Sequence, residues 1–419
     1  MGKGATASIR KVRPNVWDVQ VYLGKRSDGS WERATKRIYG GVRAAEKAER
    51  DLAAARDRGQ RLGPTPRLKA YAADWLDGKT DIEAQTRRNY GAAIDRYIEP
   101  VLGELKLREV QAPDVRRLNR AMAKNGLSGS TRRYAFRILS MIMRQAVIDR
   151  LIDVSPCEAV KPPKESRQEP RALSPEEVRE LLSRLAGGPV YVPALVAYDT
   201  GLRRGELLAL QWENVDLDAG TLRVVHAVEQ IGTEVRLKEP KSRRSQRPVK
   251  LSDPVVAALK THRADQAARR MKYQGRIVSD GETSWPMWVD CDLVFPTLVL
   301  QDAAHPMGRI WTPYAFSKAW RKAITTADER RLADYVAAGG EPETFEPWEF
   351  GVHILRHTYA THCLQAGLRD EVVSRALGHS SSSVTRAFYS HIIEGEQAET
   401  ARVTGAVITG VAATPSADV

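Results

Sequence analysis

The sequence predicts a mainly α-helical protein with small antiparallel β-sheets, divided into three units. Three observations predict it. Apolar residues recur at helical spacing through residues 67–152 and in several segments beyond 173. Period-two runs are short and confined to residues 16–39 and 220–251. Two segments rich in proline, "LGPTP" (62–66) and "VSPCEAVKPPKESRQEPRA" (154–172), break the chain. The expected units are therefore a small sheet plus a helix over 1–62, a helical unit over 67–155 and a mixed α+β unit over 173–400. A tail follows over 401–419.

In the first unit, Trp17, Val19, Val21 and Leu23 alternate with Asp18, Gln20 and Tyr22, which predicts a strand with one buried face. "SDGS" (27–30) supplies a turn, and "RATKRIY" (33–39) a second strand. "VRAAEKAERDLAAARDRG" then reads as a helix ended by Gly59. Arg10, Lys11, Arg13, Arg33, Lys36 and Arg37 make the surface basic. A basic sheet can enter a DNA groove; the plain alternative is a solvated charged face.

The second unit reads as helices. Tyr71, Trp75 and Leu76 share one face, and Tyr90, Ile94, Tyr97 and Ile98 share the next. Tyr134, Ile138, Met141 and Ile142 repeat the design. These stripes are core. The pairs Arg87-Arg88 and Arg132-Arg133 stand at helix starts, where the helix dipole disfavours positive charge. Phosphate contact would explain them.

The third unit opens on a capping box: Ser174 as cap, Pro175 at the first helical position, Glu177 three residues after the cap. A helix should end near Thr200-Gly201, with a sharp turn and a second helix from Arg204. "GTLRVVHAVEQ", "EVRLKEP" and "QRPVKL" predict one small antiparallel sheet, and residues 254–270 a helix. Segments 274–292 and 328–349 show no clear period and read as loops.

The formal net charge is +13, with basic residues spread along the chain. An extended anionic partner, most simply nucleic acid, fits that distribution. Three dispersed cysteines with no CxxC pair support neither a disulfide framework nor a zinc site, and a reducing cytoplasm is expected. The basic N-terminus precedes no apolar run, so it does not read as a secretory signal. No stretch approaches the roughly 18–20 apolar residues of a membrane span.

Four places in the third unit carry chemistry. In "TGLRRGE", glycines flank an arginine at a helix start. Lys241 sits between two predicted strands, with Lys238 and Lys250 nearby. In "HILRHTYATH", His353 and Arg356 are spaced i, i+3 and share a helix face. "LGHSSSSVTRAFYSH" holds His379 and Tyr389, with little apolar company for the tyrosine. His353, His357 and His362 form no HExxH or carboxylate-supported set, and no GxxxxGK[ST] is present, so neither a metal nor a nucleotide is called for. Two arginines can clamp the non-bridging oxygens of a phosphodiester and stabilise a phosphorane without metal. A tyrosine can then be the nucleophile, conserving the energy of the broken bond in an enzyme-phosphate ester.

"TGLRRGELLALQW", "HILRHTYATH" and "LGHSSSSVTRAFYSH", in this order and separation, resemble the tyrosine recombinases, specifically phage-type integrases. The resemblance spans roughly 173–395. The preceding units look like the family's core-binding and arm-binding domains, so the likeness assigns 1–62 to arm-type DNA, 67–155 to core DNA and 173–400 to catalysis. It implies Arg203 and Arg356 as phosphate-clamping arginines, and Lys241 as the acid for the departing 5′ oxygen. His353 would assist proton transfer, His379 would hold the scissile phosphate, Glu206 would support the site and Tyr389 would attack. Arg10, Lys11, Arg87, Arg88, Arg132 and Arg133 are candidate DNA contacts. The implied partners are double-stranded DNA and three further copies in a tetramer, with a DNA-bending accessory protein or excision factor as further candidates and no cofactor. The alternatives are a catalytically idle DNA-binding protein on the same fold or, within the class, a dimer or plasmid resolvase.

Overall fold

The computed structural model describes residues 7–25, 31–57, 65–165, 171–239, 247–279, 284–298 and 306–378. The expected turn at 27–30, Gly59, Lys241, His379, Tyr389 and the tail lie outside the described residues. The chain divides into two compact units, Met1–Gln168 and Glu169–Val419.

In the first, β1 (Ala7–Arg13), β2 (Val16–Lys25) and β3 (Trp31–Tyr39) form an antiparallel sheet in that order. Strand β1 is an addition to the sequence reading. Its basic residues Arg10, Lys11 and Arg13 hid the alternation. Asn15, at φ 59°, makes the tight turn into β2. Val19 and Val21 are buried as the alternation requires, and α1 (Val42–Asp57) packs on β2 with Ala45 inward. Pleating puts the cross-strand row Arg10–Asp18–Arg37 on the other face. There Arg37 grips Asp18 with two hydrogen bonds of 2.7 and 2.8 Å.

The helical part contains α2 (Leu68–Asp77), α3 (Ala84–Ala93), α4 (Glu99–Leu102), α5 (Ala112–Lys124) and α6 (Gly129–Ile148). A π turn over Ile94–Ile98 joins α3 to α4. Pro100 explains it: proline has no N–H for the bond back to residue 96, so the ladder widens there. The predicted stripes are the core, with Ile98, Ile138, Leu139, Ile142 and Met143 fully buried. Arg87 donates to the Asp77 carboxylate and to the carbonyls of Asp77 and Lys79, just past the end of α2. Its charge therefore sits at the negative end of one helix as well as at the start of another. Arg132 donates to Asn119, Arg133 reaches the Pro163 carbonyl at 3.4 Å, and Arg88 is exposed.

In the second unit the capping box forms: Ser174 Oγ accepts from Glu177 N at 3.2 Å and the Glu177 carboxylate accepts from Ser174 N at 2.7 Å. It starts α7 (Pro175–Leu185), followed by α8 (Tyr191–Thr200) and α9 (Arg204–Leu208). Two sheets replace the single one expected. The chain breaks at Val225-His226, so β5 (Thr221–Val224) pairs with β4 (Val215–Asp216) and β8 (Arg247–Lys250). Strand β6 (Ala227–Ile231) pairs instead with β7 (Glu234–Lys238). Helix α10 (Asp253–Tyr273) leads to a small hairpin of β9 (Ile277–Ser279) and β10 (Ser284–Pro286).

Helix α11 (Pro313–Ala337) runs ten residues into the segment read as a loop from 328. Only its first half is deeply buried, through Phe316, Trp320, Ile324 and Ala327, so the later turns carry little apolar period. Arg331 holds them instead, paired with Asp328 at 2.6 Å and stacked 4.0 Å over the Trp348 ring. Helices α12 (His353–Gln365) and α13 (Asp370–Leu377) close the described chain.

Ile142→Ala should destabilise the chain by about 2–5 kcal/mol, since a fully buried side chain leaves a cavity. Ile148→Ala, at a position 65% exposed on the same helix, should stay within about 0.5 kcal/mol of wild type. Urea denaturation of the full chain measures both, and equal losses would contradict the assignment of the core face.

Candidate active site

The site is built on the turn after α8. Gly201 adopts φ 61° there, and a Cβ would lie 2.6 Å from the Tyr359 ring and 2.7 Å from a Leu377 methyl. Only glycine permits this backbone conformation together with so close an approach to α12 and α13. The turn delivers Arg203 as the residue before α9. Glu206, one turn on, accepts from the Arg203 backbone N–H at 3.0 Å and from its guanidinium at 2.8 Å.

Glu206 is buried, at 5% exposure, and receives a second guanidinium, Arg247 on β8, at 3.3 Å. Burial alone would push its carboxyl up. The charge of Arg247, the Arg203 backbone N–H and the charge of Arg203 outweigh that and hold it below the ordinary carboxylate range. It is therefore ionised at neutral pH.

Three guanidiniums meet three successive carbonyls at the end of α13. Arg247 Nε donates to Ala376 at 2.6 Å, Arg356 Nη2 to Leu377 at 2.9 Å and Arg203 Nη2 to Gly378 at 3.2 Å. Arg356 also donates from Nη1 to the Gly201 carbonyl at 2.6 Å. The C-terminal end of a helix carries the negative end of its dipole, so cations are favoured there. Arg203 and Arg356, 153 positions apart in the sequence, are thus fixed within one frame.

His353 begins α12, one turn before Arg356. Desolvation by its surroundings, then Arg204, Arg356 and Arg203, push its imidazole below the ordinary histidine range against the opposing pull of Glu206. Its ring is kept neutral, able to accept a proton. Arg204 is half-buried, hydrogen-bonded to Ser317 Oγ on α11 at 2.6 Å, and its own pKa is lowered by burial. His362 is structural: its ring nitrogens meet Tyr198 Oη and the Leu173 carbonyl, both at 2.9 Å.

Of the predicted set, Arg203, Glu206, His353 and Arg356 are brought together, while Lys241, His379 and Tyr389 lie outside the described residues. Two rival lysines are engaged elsewhere: Lys238 pairs with Glu229 at 3.1 Å, and Lys250 donates to the Ala219 carbonyl. Another tyrosine of the "HILRHTYATH" helix, Tyr359, packs on Gly201, and burial first, then Cys363, pushes its phenol well above the usual range. Arg10 and Lys11 belong to the other compact unit, as do the four helix-start arginines. Sequence reading missed Arg247. The signal was there: in the strand "RPVK", Arg247 falls on the same face as the buried Val249, an inward charge that demands a partner.

Glu206→Gln should destabilise the protein by about 3–5 kcal/mol at pH 7, the cost of leaving buried charge unpaired. A depressed carboxyl stabilises the fold above its unfolded value of 4.5 and loses that contribution as pH falls through the folded value. The Tm gap between variant and wild type should therefore narrow below about pH 4. A gap that is constant from pH 7 to the acid limit would contradict the ionised clamp.

Among the described residues, no group of three or more His, Cys, Asp or Glu is placed to hold a metal ion, and no helix is long and apolar enough to cross a membrane. The chain is 25% identical over 304 residues to a XerC-like tyrosine recombinase of Caldanaerobacter subterraneus subsp. tengcongensis, covering 69% of each. Its fold is similar to a Tn1549 transposon integrase fragment solved with circular-intermediate DNA, at TM-score 0.64 and 19% identity, covering 81% of this chain and all of that one. It is also similar to lambda integrase, solved as a tetramer on a Holliday junction, at TM-score 0.51 and 14% identity, covering 92% of this chain and 94% of that one. Residues 68–122 match the phage integrase N-terminal SAM-like domain. Residues 171–395, more than half of the chain, match the phage integrase family, and the chain belongs to that family of tyrosine recombinases, the DNA strand transferases of site-specific recombination.

Proposed function

We propose that the protein integrates or excises a mobile element by cutting each DNA strand through a 3′-phosphotyrosine at Tyr389. The observation that carries this is the common frame of Arg203 and Arg356, set on the helix end that runs directly into His379 in the sequence. Among the described residues, the Arg203 guanidinium makes two hydrogen bonds, to Glu206 and Gly378, and its side chain is 40% exposed. A guanidinium has five N–H donors, so Arg203 keeps donors for a phosphate. With Arg356 it would neutralise the non-bridging oxygens as the tyrosine oxygen attacks phosphorus.

The tyrosine proton passes towards neutral His353, the phosphorus–O5′ bond breaks, and Lys241 gives the departing oxygen its proton. His379 hydrogen-bonds the phosphate. The free 5′ hydroxyl of the partner strand reverses these steps, so no metal or nucleotide is consumed. Four copies would act in pairs through a Holliday junction, as the lambda integrase tetramer on such a junction suggests.

The second DNA contact would come from residues 1–62, with residues 67–155 on core DNA. What supports an arm-binding role is the sheet face that carries Arg10, Arg33 and Arg37 away from α1. Tethering two DNA-binding modules raises avidity, which would separate this protein from a resolvase that reads one kind of site.

A nicked suicide DNA carrying the core site should trap wild-type protein as a covalent adduct on a denaturing gel. Tyr389→Phe should bind the same DNA with unchanged affinity and form none, because only the attacking atom is gone. An adduct from Tyr389→Phe at the same DNA position would overturn the nucleophile. No adduct from wild type would favour the idle DNA-binding protein.

A further inference from the structure

We propose that Arg247 and Gly378 form a positioning pair for the cleavage reaction, locking the Glu206–Arg203 clamp to the turn that precedes His379. The proposal rests on the recombinase reading and adds residues to that site. Arg247 is 6% exposed on its side chain, so it cannot itself meet DNA. Among the described residues its guanidinium meets acceptors on two different elements. Nη2 holds Glu206 Oε2 on α9 at 3.3 Å, and Nε holds the Ala376 carbonyl on α13 at 2.6 Å. Glu206 uses its other oxygen to orient Arg203, which reaches the Gly378 carbonyl two residues beyond Ala376. The ring of contacts therefore closes on itself: Arg247, Glu206, Arg203, Gly378, Ala376.

Gly378 is the keystone of the other half. It sits at φ 66°, and a Cβ there would lie 2.6 Å from Arg247 Nη1 and 3.0 Å from its Cζ. A side chain at 378 would have to push the guanidinium away, and a residue other than glycine would resist the turn as well. The guanidinium and the missing Cβ are two faces of one packing arrangement. Strand β8 begins at Arg247, six residues after Lys241, so the same side chain ties the segment bearing the proposed acid to the segment bearing the proposed phosphate ligand. Lysine cannot replace it, since one ammonium does not reproduce the planar fork that reaches two acceptors at once.

The test uses full-length protein and the suicide DNA in single turnover. Arg247→Lys should keep core-site affinity within about threefold and lose some thermal stability, since one buried acceptor loses its donor, yet at a temperature where it is fully folded it should form adduct about 10²-fold more slowly, the scale of a small misplacement of reacting groups. Gly378→Ala should also slow adduct formation. In an Arg247→Met background, where no guanidinium remains to be displaced, Gly378→Ala should cost at least about threefold less than in wild type, the non-additivity of groups in contact. Wild-type rate from Arg247→Lys, a rate loss that only tracks lost affinity or Tm, or equal cost of Gly378→Ala in both backgrounds would each overturn the pair. The wild-type adduct in the same experiment reports on the recombinase reading separately: if it forms while the pair fails these tests, only the positioning role falls.

Discussion

The site depends on one buried carboxylate. Glu206 is taken out of water between Arg203 and Arg247, a costly placement unless both charges remain in contact and further hydrogen bonds complete the shell. That requirement fixes the rest. Arg247 must come from a strand edge, Arg203 from the turn after α8, and both must find the helix-end carbonyls that Arg356 also uses. Gly201 and Gly378 follow from it, because the elements approach too closely for a Cβ at either position.

A frame of this kind suits phosphoryl transfer. The chemistry needs positive charge placed before the reaction, not recruited during it, since reorientation would cost part of what electrostatic stabilisation gains. The guanidinium group suits that need, because it is planar, delocalised and always charged in proteins. The same charges act on His353, where desolvation and the arginines together favour the neutral ring. One cluster therefore fixes the guanidiniums and favours the neutral imidazole.

The fold was largely legible in the sequence because its signals are local. Helical stripes such as Ile138–Ile142, the Ser174–Glu177 box and the Thr200-Gly201 stop each depend on neighbours in the chain. What was missed depended on distant partners. The split of one sheet into two is decided by which strand Ala227–Ile231 finds, and β6 pairs with β7 while β5 pairs with β8. The second half of α11 is held by Arg331 against Asp328 and Trp348, not by an apolar stripe. Arg247 stands in a run of basic residues, and only its alternation with the buried Val249 marks it as inward.

The central claim is that Arg203 acts on the negative charge of the scissile phosphate. It is tested most directly by single-turnover cleavage of DNA bearing one neutral methylphosphonate at the cleavage position, with wild type and Arg203→Ala compared on both linkages. Arginine removal should cost far less on the neutral linkage, where there is no anionic oxygen to neutralise, by at least about tenfold in relative rate. An equal loss on the charged and neutral linkages would mean that Arg203 holds the fold or the DNA elsewhere, and would contradict the account.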